Sequence, residues 1–212
     1  MNPEMRRVVI EAEAAARRGW SDADVAALAA STRTLRVDEA GLQRVLSLPI
    51  DDHGFREDAL ATDPAFHASV FGLKAGETIP LHDHPELDVI TKVLRGRIRV
   101  RTFEWIDAAS LIAHKCGEVV IGDADDALVL RKSPGTLHVV TAIEATAFLD
   151  LFAPYYDEMT RPCRYYAIAG PAAASRRNGG VSSASGNAAE GGPEDIQLRV
   201  VSWEEARSCP AP

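Results

Sequence analysis

The chain has 212 residues, 46% of them hydrophobic, which is enough to bury one sizeable core with some decoration. A net charge of -8 argues against nucleic acid or an anionic membrane as partner, because phosphate binding needs a basic surface. Three scattered cysteines, Cys116, Cys163 and Cys209, form no disulfide framework and point to a reducing compartment.

In chain order, residues 2–18 read as a helix. Asn2 is placed to cap it, Pro3 suits its first position, and Met5, Val8, Val9, Ala12, Ala15 and Ala16 fall on one face. The N-terminus lacks the apolar core of a signal peptide, and no apolar run approaches the ~18 residues of a membrane helix. A cytoplasmic protein is expected, with the nucleus also open to it. Gly19 should end the first helix, and Ser21 with Asp24 resembles a capping box for a second helix through Ala30. Residues 38–47 read as a third. Residues 1–48 are thus expected to be a helical segment that packs on the domain formed by 49–212.

From Phe66 to about Ala169 short β-rich runs recur at 66–73, 77–81, 88–95, 97–106, 109–113, 118–121, 127–131, 136–142, 146–152 and 163–168. Gly, Pro and Asp punctuate them. Many short strands at near-regular spacing predict a mainly β fold, and a double-sheet jelly roll of the cupin type fits. Residues 170–193 are small, polar and glycine-rich, and read as a flexible surface insertion whose ends lie close together. The run IQLRVVSW then reads as a strand returning to the sheet.

Six histidines punctuate the chain. His53 and His114 read as exposed and His67 as ambiguous. His82 and His84 differ, because residues i and i+2 of a strand share a face. Both imidazoles then point one way and Asp83 the other. Two neutral imidazoles on one rigid strand form half of a metal site. The order Gly76-x5-His82-x-His84-x4-Val89-x6-Gly96 follows the first cupin motif, with apolar Val89 where a glutamate ligand often stands. His138, in SPGTLH at the start of another β run, is the candidate third ligand. Alone it would read as a core histidine. Such a set suits Zn²⁺ or Fe²⁺, and spacing does not decide between them.

The ordered set IPLHDHP, KVLRG, FEW, LHVVTAIEATAFLDLFAPYYD and TRPCRYY resembles the thiol dioxygenase family of cysteamine dioxygenase and the plant cysteine oxidases, over about residues 37–168. The resemblance implies a cupin fold and a mononuclear non-haem Fe(2+) held by His82, His84 and His138. It implies oxidation of a thiol to a sulfinic acid by O₂, with no organic cofactor. The substrate would be the N-terminal cysteine of a protein or peptide, making the protein an oxygen sensor, or a small aminothiol such as cysteamine. The resemblance also carries roles near the iron to Asp150 and Tyr156, and a C-x-Y pair to Cys163 and Tyr165, which crosslinks in some relatives. By their residue types, Asp150 also fits an internal hydrogen-bond anchor, Tyr156 packing, and Cys163 a buried free thiol.

The chain departs from the family at Glu86, Leu87, Asp88 and Arg95, all expected near the pocket mouth, where added negative charge would favour a cationic substrate group. Arg95, Arg97, Arg99 and Arg101 alternate along one strand and read as a solvated outer face packed on nothing. A monomer is expected. Two other readings stay open from the residues: a cupin isomerase or hydrolase with a redox-inert metal, and a non-enzymatic ligand-binding cupin.

Overall fold

The protein's structure, a computed structural model, describes residues 2–51, 54–132, 136–157, 159–172 and 195–209. Three helices open the chain, α1 (Pro3–Ala16), α2 (Asp22–Ser31) and α3 (Glu39–Leu46). Each begins where a side chain satisfies the free amides of its first turn. Asn2 accepts from the Met5 amide, Ser21 and Asp24 form a reciprocal capping box, and Asp38 accepts from the Gly41 amide. Gly19, at φ +77°, turns the chain between α1 and α2.

The strands are β1 (Arg56–Asp63), β2 (Phe66–Leu73), β3 (Thr78–Asp83), β4 (Asp88–Arg95), β5 (Arg97–Asp107), β6 (Ile112–Gly122), β7 (Leu128–Leu130), β8 (Thr136–Ala142), β9 (Thr146–Ala153), β10 (Tyr165–Pro171) and β11 (Asp195–Val201). They form two antiparallel sheets. One runs β1-β2-β9-β4-β7; the other runs β10-β11-β6-β5-β8-β3 and closes on itself where β10 meets β3. This is the double-stranded β-helix of a cupin, with helices at the N-terminal end.

Alternation along each strand divides the core. Leu149 and Leu151 of β9, with Ile90 and Leu94 of β4, face outward and pack against Met5, Val8, Val25, Leu28 and Leu42 of the helices. Phe148 and Phe152, with Val89 and Val93, face inward and meet Ile98, Val100 and Val140 of the second sheet. A third cluster, Leu81, Phe103, Leu137, Val139, Tyr166 and Leu198, fills the interior of the second sheet.

Several elements differ from the sequence reading. β1 was not expected: REDALATD is charged and alanine-rich, and its pairing with the buried β2 makes it a strand. The runs 109–113 and 118–121 give one strand, β6, whose register with β5 shifts twice. A short helix, α4 (Trp203–Ser208), follows β11 with Ser202 as its cap. Residues 173–194, most of the expected insertion, lie outside the described residues, as does His53. At its flanks the Ala172 amide donates to the Asp195 carbonyl at 2.8 Å. The arginine row is ion-paired rather than simply solvated: Arg95 meets Glu39, Arg97 meets Glu144, and Arg99 and Arg101 share Glu118. Among the described residues no helix is long and apolar enough to cross a membrane.

Candidate metal centre

β3 and β8 are antiparallel neighbours, and their register places His138 directly opposite His82. Directly opposed residues bring their side chains together, and these two rings are 4.3 Å apart. A register shift between Ile79 and His82 bends β3 just before the pair. His84 lies beyond the end of β3, its ring 4.8 Å from both His82 and His138. All three are buried, and their ligand atoms lie within 4.8 Å of one another.

The outer nitrogens decide which atoms face the shared space. Nδ1 of His82 is 2.8 Å from the Pro80 carbonyl, so it carries the proton and leaves the Nε2 lone pair free. The Tyr156 hydroxyl sits on Nδ1 of His84. Nε2 of His84 and Nε2 of His138 are 3.5 Å apart. Burial holds all three rings neutral, with His82 lowered to about 4 and the other two further depressed by their histidine neighbours. Val89 is buried among apolar side chains and brings no carboxylate. Three neutral imidazoles with converging lone pairs fit a divalent iron or zinc ion and leave coordination positions for other ligands.

Asp83, between the two histidines, points the other way and is buried. Its Oδ1 accepts from the Arg164 amide at 2.9 Å and its Oδ2 from the Tyr166 hydroxyl at 2.7 Å. Burial pushes its pKa up, and these bonds oppose that shift.

Cys163 lies before β10, so the strand expected over 163–168 begins two residues later, at Tyr165. The two are still close enough to perturb each other, and the Cys163 thiol perturbs the Tyr156 phenol in the same way. Burial pushes that thiol up to about 12 and both phenols up from their ordinary range. Tyr156, Cys163 and Tyr165 thus lie together, joined to the three histidines by the contact of Tyr156 with His84.

Asp150 belongs to the facing sheet. Alternation places it on the inward face of β9 between Phe148 and Phe152, and the Phe152 ring is 5.9 Å from that of His84. Thr91 stands opposite it on β4 and favours its ionised form, while its Oδ1 is shut off from solvent without a hydrogen-bond partner among the described residues. Burial, with a smaller push from Glu57, raises its pKa to about 7.

Sequence reasoning missed a second polar group on this wall. His67 is buried, with Nε2 2.8 Å from Glu57 and 2.6 Å from the Ser69 hydroxyl, and Nδ1 3.0 Å from the Thr62 hydroxyl. Its ring stacks on Tyr155 at 4.1 Å. The signal lay in the alternation of His67 and Ser69 on one strand face.

Two expected pocket-mouth charges lie elsewhere. Asp88 faces outward from β4, buried against Arg131 at 3.1 Å and the Lys132 amide at 2.9 Å, so its charge is already met. Arg95 stands at the other end of β4, held by Glu39. Glu86 is exposed, at φ 60°. A cavity of about 270 Å³ opens on the other side of β3, between Phe55, Ile79, Tyr166 and Trp203, and none of the three histidines lines it.

Fold and site together define a cupin with a buried group of three histidines that could hold a metal ion. The PCO_ADO family model matches residues 56–199, and the chain belongs to that family, the thiol dioxygenases of the cysteamine dioxygenase and plant cysteine oxidase type. The chain is 30% identical over 109 residues to plant cysteine oxidase 2 of Arabidopsis thaliana, covering 48% of this chain and 40% of that one. It is 32% identical over 133 residues to 2-aminoethanethiol dioxygenase of Homo sapiens, covering 50% and 49%. The chain thus spans about half the length of the relatives it matches. Among solved structures, KdgF from Halomonas sp. matches with a TM-score of 0.40 at 22% identity, over 52% of this chain and 89% of that one.

Proposed function

We propose that the protein is a non-haem iron thiol dioxygenase that adds both atoms of O₂ to a thiol, giving a sulfinic acid. The observation that supports this most is the three-histidine group, free of a carboxylate ligand, in a chain of the PCO_ADO family. Iron, when bound, would supply the electron exchange that lets O₂ react with a thiol. His82, His84 and His138 would hold it through neutral nitrogens. Tyr156 keeps the His84 ring in its orientation. Asp150 stands on the opposite wall, its unpartnered Oδ1 suited to a substrate amine. Phe152 and Tyr156 stand beside His84, with Tyr155 packed against both, and limit water. The substrate loses its thiol proton, since the thiolate is the reactive form, and the sulfur is oxidised while dioxygen is reduced. The N-terminal cysteine of a peptide is the preferred substrate, with cysteamine second.

The test is anaerobic iron loading, then exposure of a Cys-initiated peptide and of cysteamine to O₂. Mass spectrometry should show a gain of ~32 Da, two oxygens on sulfur. Zinc at full occupancy in active protein, with no O₂ uptake on adding thiols, would instead favour a redox-inert isomerase or hydrolase.

A further inference from the structure

We propose that Asp83 is a positioning residue. It pins the segment Pro162–Tyr166 to the metal-bearing strand and so sets where the Cys163 thiol and the Tyr165 phenol stand beside the histidines. β10 meets β3 through a single ladder pair, Tyr165 opposite His82. One pair is a weak join for two strands, yet here the second sheet closes. Asp83 supplies what the ladder lacks. Its amide donates to the Arg164 carbonyl at 3.2 Å, and its Oδ1 accepts from the Arg164 amide at 2.9 Å. Its Oδ2 accepts from the Tyr166 hydroxyl at 2.7 Å.

The placement gives those bonds their consequence. Asp83 sits between two of the three histidines, and Arg164 sits between Cys163 and Tyr165. Joining 83 to 164 therefore registers the two segments against each other. The Tyr165 ring ends 6.0 Å from His82, and the Tyr156 hydroxyl, which meets His84, also lies 3.5 Å from the Asp83 carbonyl. Asp83 is 6% exposed, and Tyr166 is packed in the core with Leu81, Leu137 and Val139. A buried carboxylate is tolerated only where donors meet it, and here the donors belong to the segment being held. Facing away from the shared space of the histidines, Asp83 acts through that segment.

The test compares Asp83→Ala and Asp83→Asn in a Cys116→Ala/Cys209→Ala background, where Cys163 is the one thiol left. The rate of Cys163 alkylation is measured, together with kcat and KM for a Cys-initiated peptide with iron-loaded protein. The kinetic arm rests on the dioxygenase reading; the alkylation arm does not. Asp83→Ala is expected to raise the alkylation rate about tenfold and to lower kcat about 10–100-fold, the usual effect of losing an outer support, with KM changed less than about threefold. Asn keeps an acceptor for the Arg164 amide and a group that can donate to the Tyr166 oxygen, so Asp83→Asn should bring both values to within about threefold of the parent. Folded Asp83→Ala with the parent's alkylation rate, or Asp83→Asn as impaired as Asp83→Ala, overturns the proposal. Should Asp83→Ala not fold, Tyr166→Phe removes one donor alone; it is expected to raise alkylation measurably, and an unchanged rate overturns the proposal. A parent protein that leaves thiols unoxidised defeats the dioxygenase reading, while the alkylation comparison still decides the role of Asp83.

Discussion

The hydroxyl of Tyr156 reaches Nδ1 of His84 across 72 positions of sequence. It does for His84 what the Pro80 carbonyl does for His82, fixing the ring from outside so that the other nitrogen faces inward. Removing that hydroxyl leaves the ring in place by packing but free to tilt. Tyr156→Phe is therefore expected to weaken Fe²⁺ binding about 10–100-fold without unfolding the protein. Anaerobic chelator competition measures this, and an unchanged affinity would show that Tyr156 is packing alone.

His138 has no such support: its Nδ1 is buried without a partner among the described residues. Its place comes instead from the strand, through the pair with His82 and the buried flanking residues Leu137 and Val139. His138→Ala should therefore abolish iron retention after desalting, while the far-ultraviolet circular dichroism stays that of the parent. Iron retained at the parent's stoichiometry would remove His138 from the ligand set.

What the sequence made legible was local. The caps at Asn2 and Ser21 lie within three residues of what they bond, and the close spacing of His82 and His84 marks them as a pair, although only His82 lies within β3. The remainder depends on partners distant in sequence. Nothing within REDALATD marks β1; its pairing with β2 makes it a strand. Asp88 read as a charge at the pocket mouth because Arg131, its counter-charge, is brought up by β7. The Asp83–Tyr166 bond and the Glu57–His67–Ser69 group join segments that the sequence does not show to be neighbours. Cys163 and Tyr165 read as one β run, whereas only Tyr165 lies in β10 and Tyr156, from before the run, joins them.

The Asp88–Arg131 pair gives a stability prediction away from the metal. The Asp88 side chain is 2% exposed and Arg131 34%, and Arg131 also reaches Asp22 of α2. Arg131→Ala would leave Asp88 charged and buried with only the Lys132 amide to meet it. Because Arg131 is partly open to solvent, the expected loss is about 1–3 kcal/mol, less than for a fully buried pair. Urea unfolding of the metal-free protein measures it, and Asp88→Asn in the same background should recover part of the loss. A cost within experimental error would mean that solvent replaces the arginine.

Asp150 predicts how stability depends on pH. Its carboxyl is raised from 3.8 to about 7, chiefly by burial, with Thr91 lowering it and Glu57 raising it. The folded protein therefore keeps this proton across a range in which the unfolded chain has lost it. With more protons bound when folded, stability falls as pH rises from about 4 and levels off above about 7, with a slope of at most about 1.4 kcal/mol per pH unit. Asp150→Asn removes this proton from the balance, so its stability relative to the parent should grow over that window. Paired urea titrations of the metal-free proteins at pH 5 and pH 7.5 make the comparison. A constant difference between the two proteins would mean that Asp150 is ionised throughout. Its Oδ1 would then need a hydrogen-bond donor or solvent access that the structure does not show.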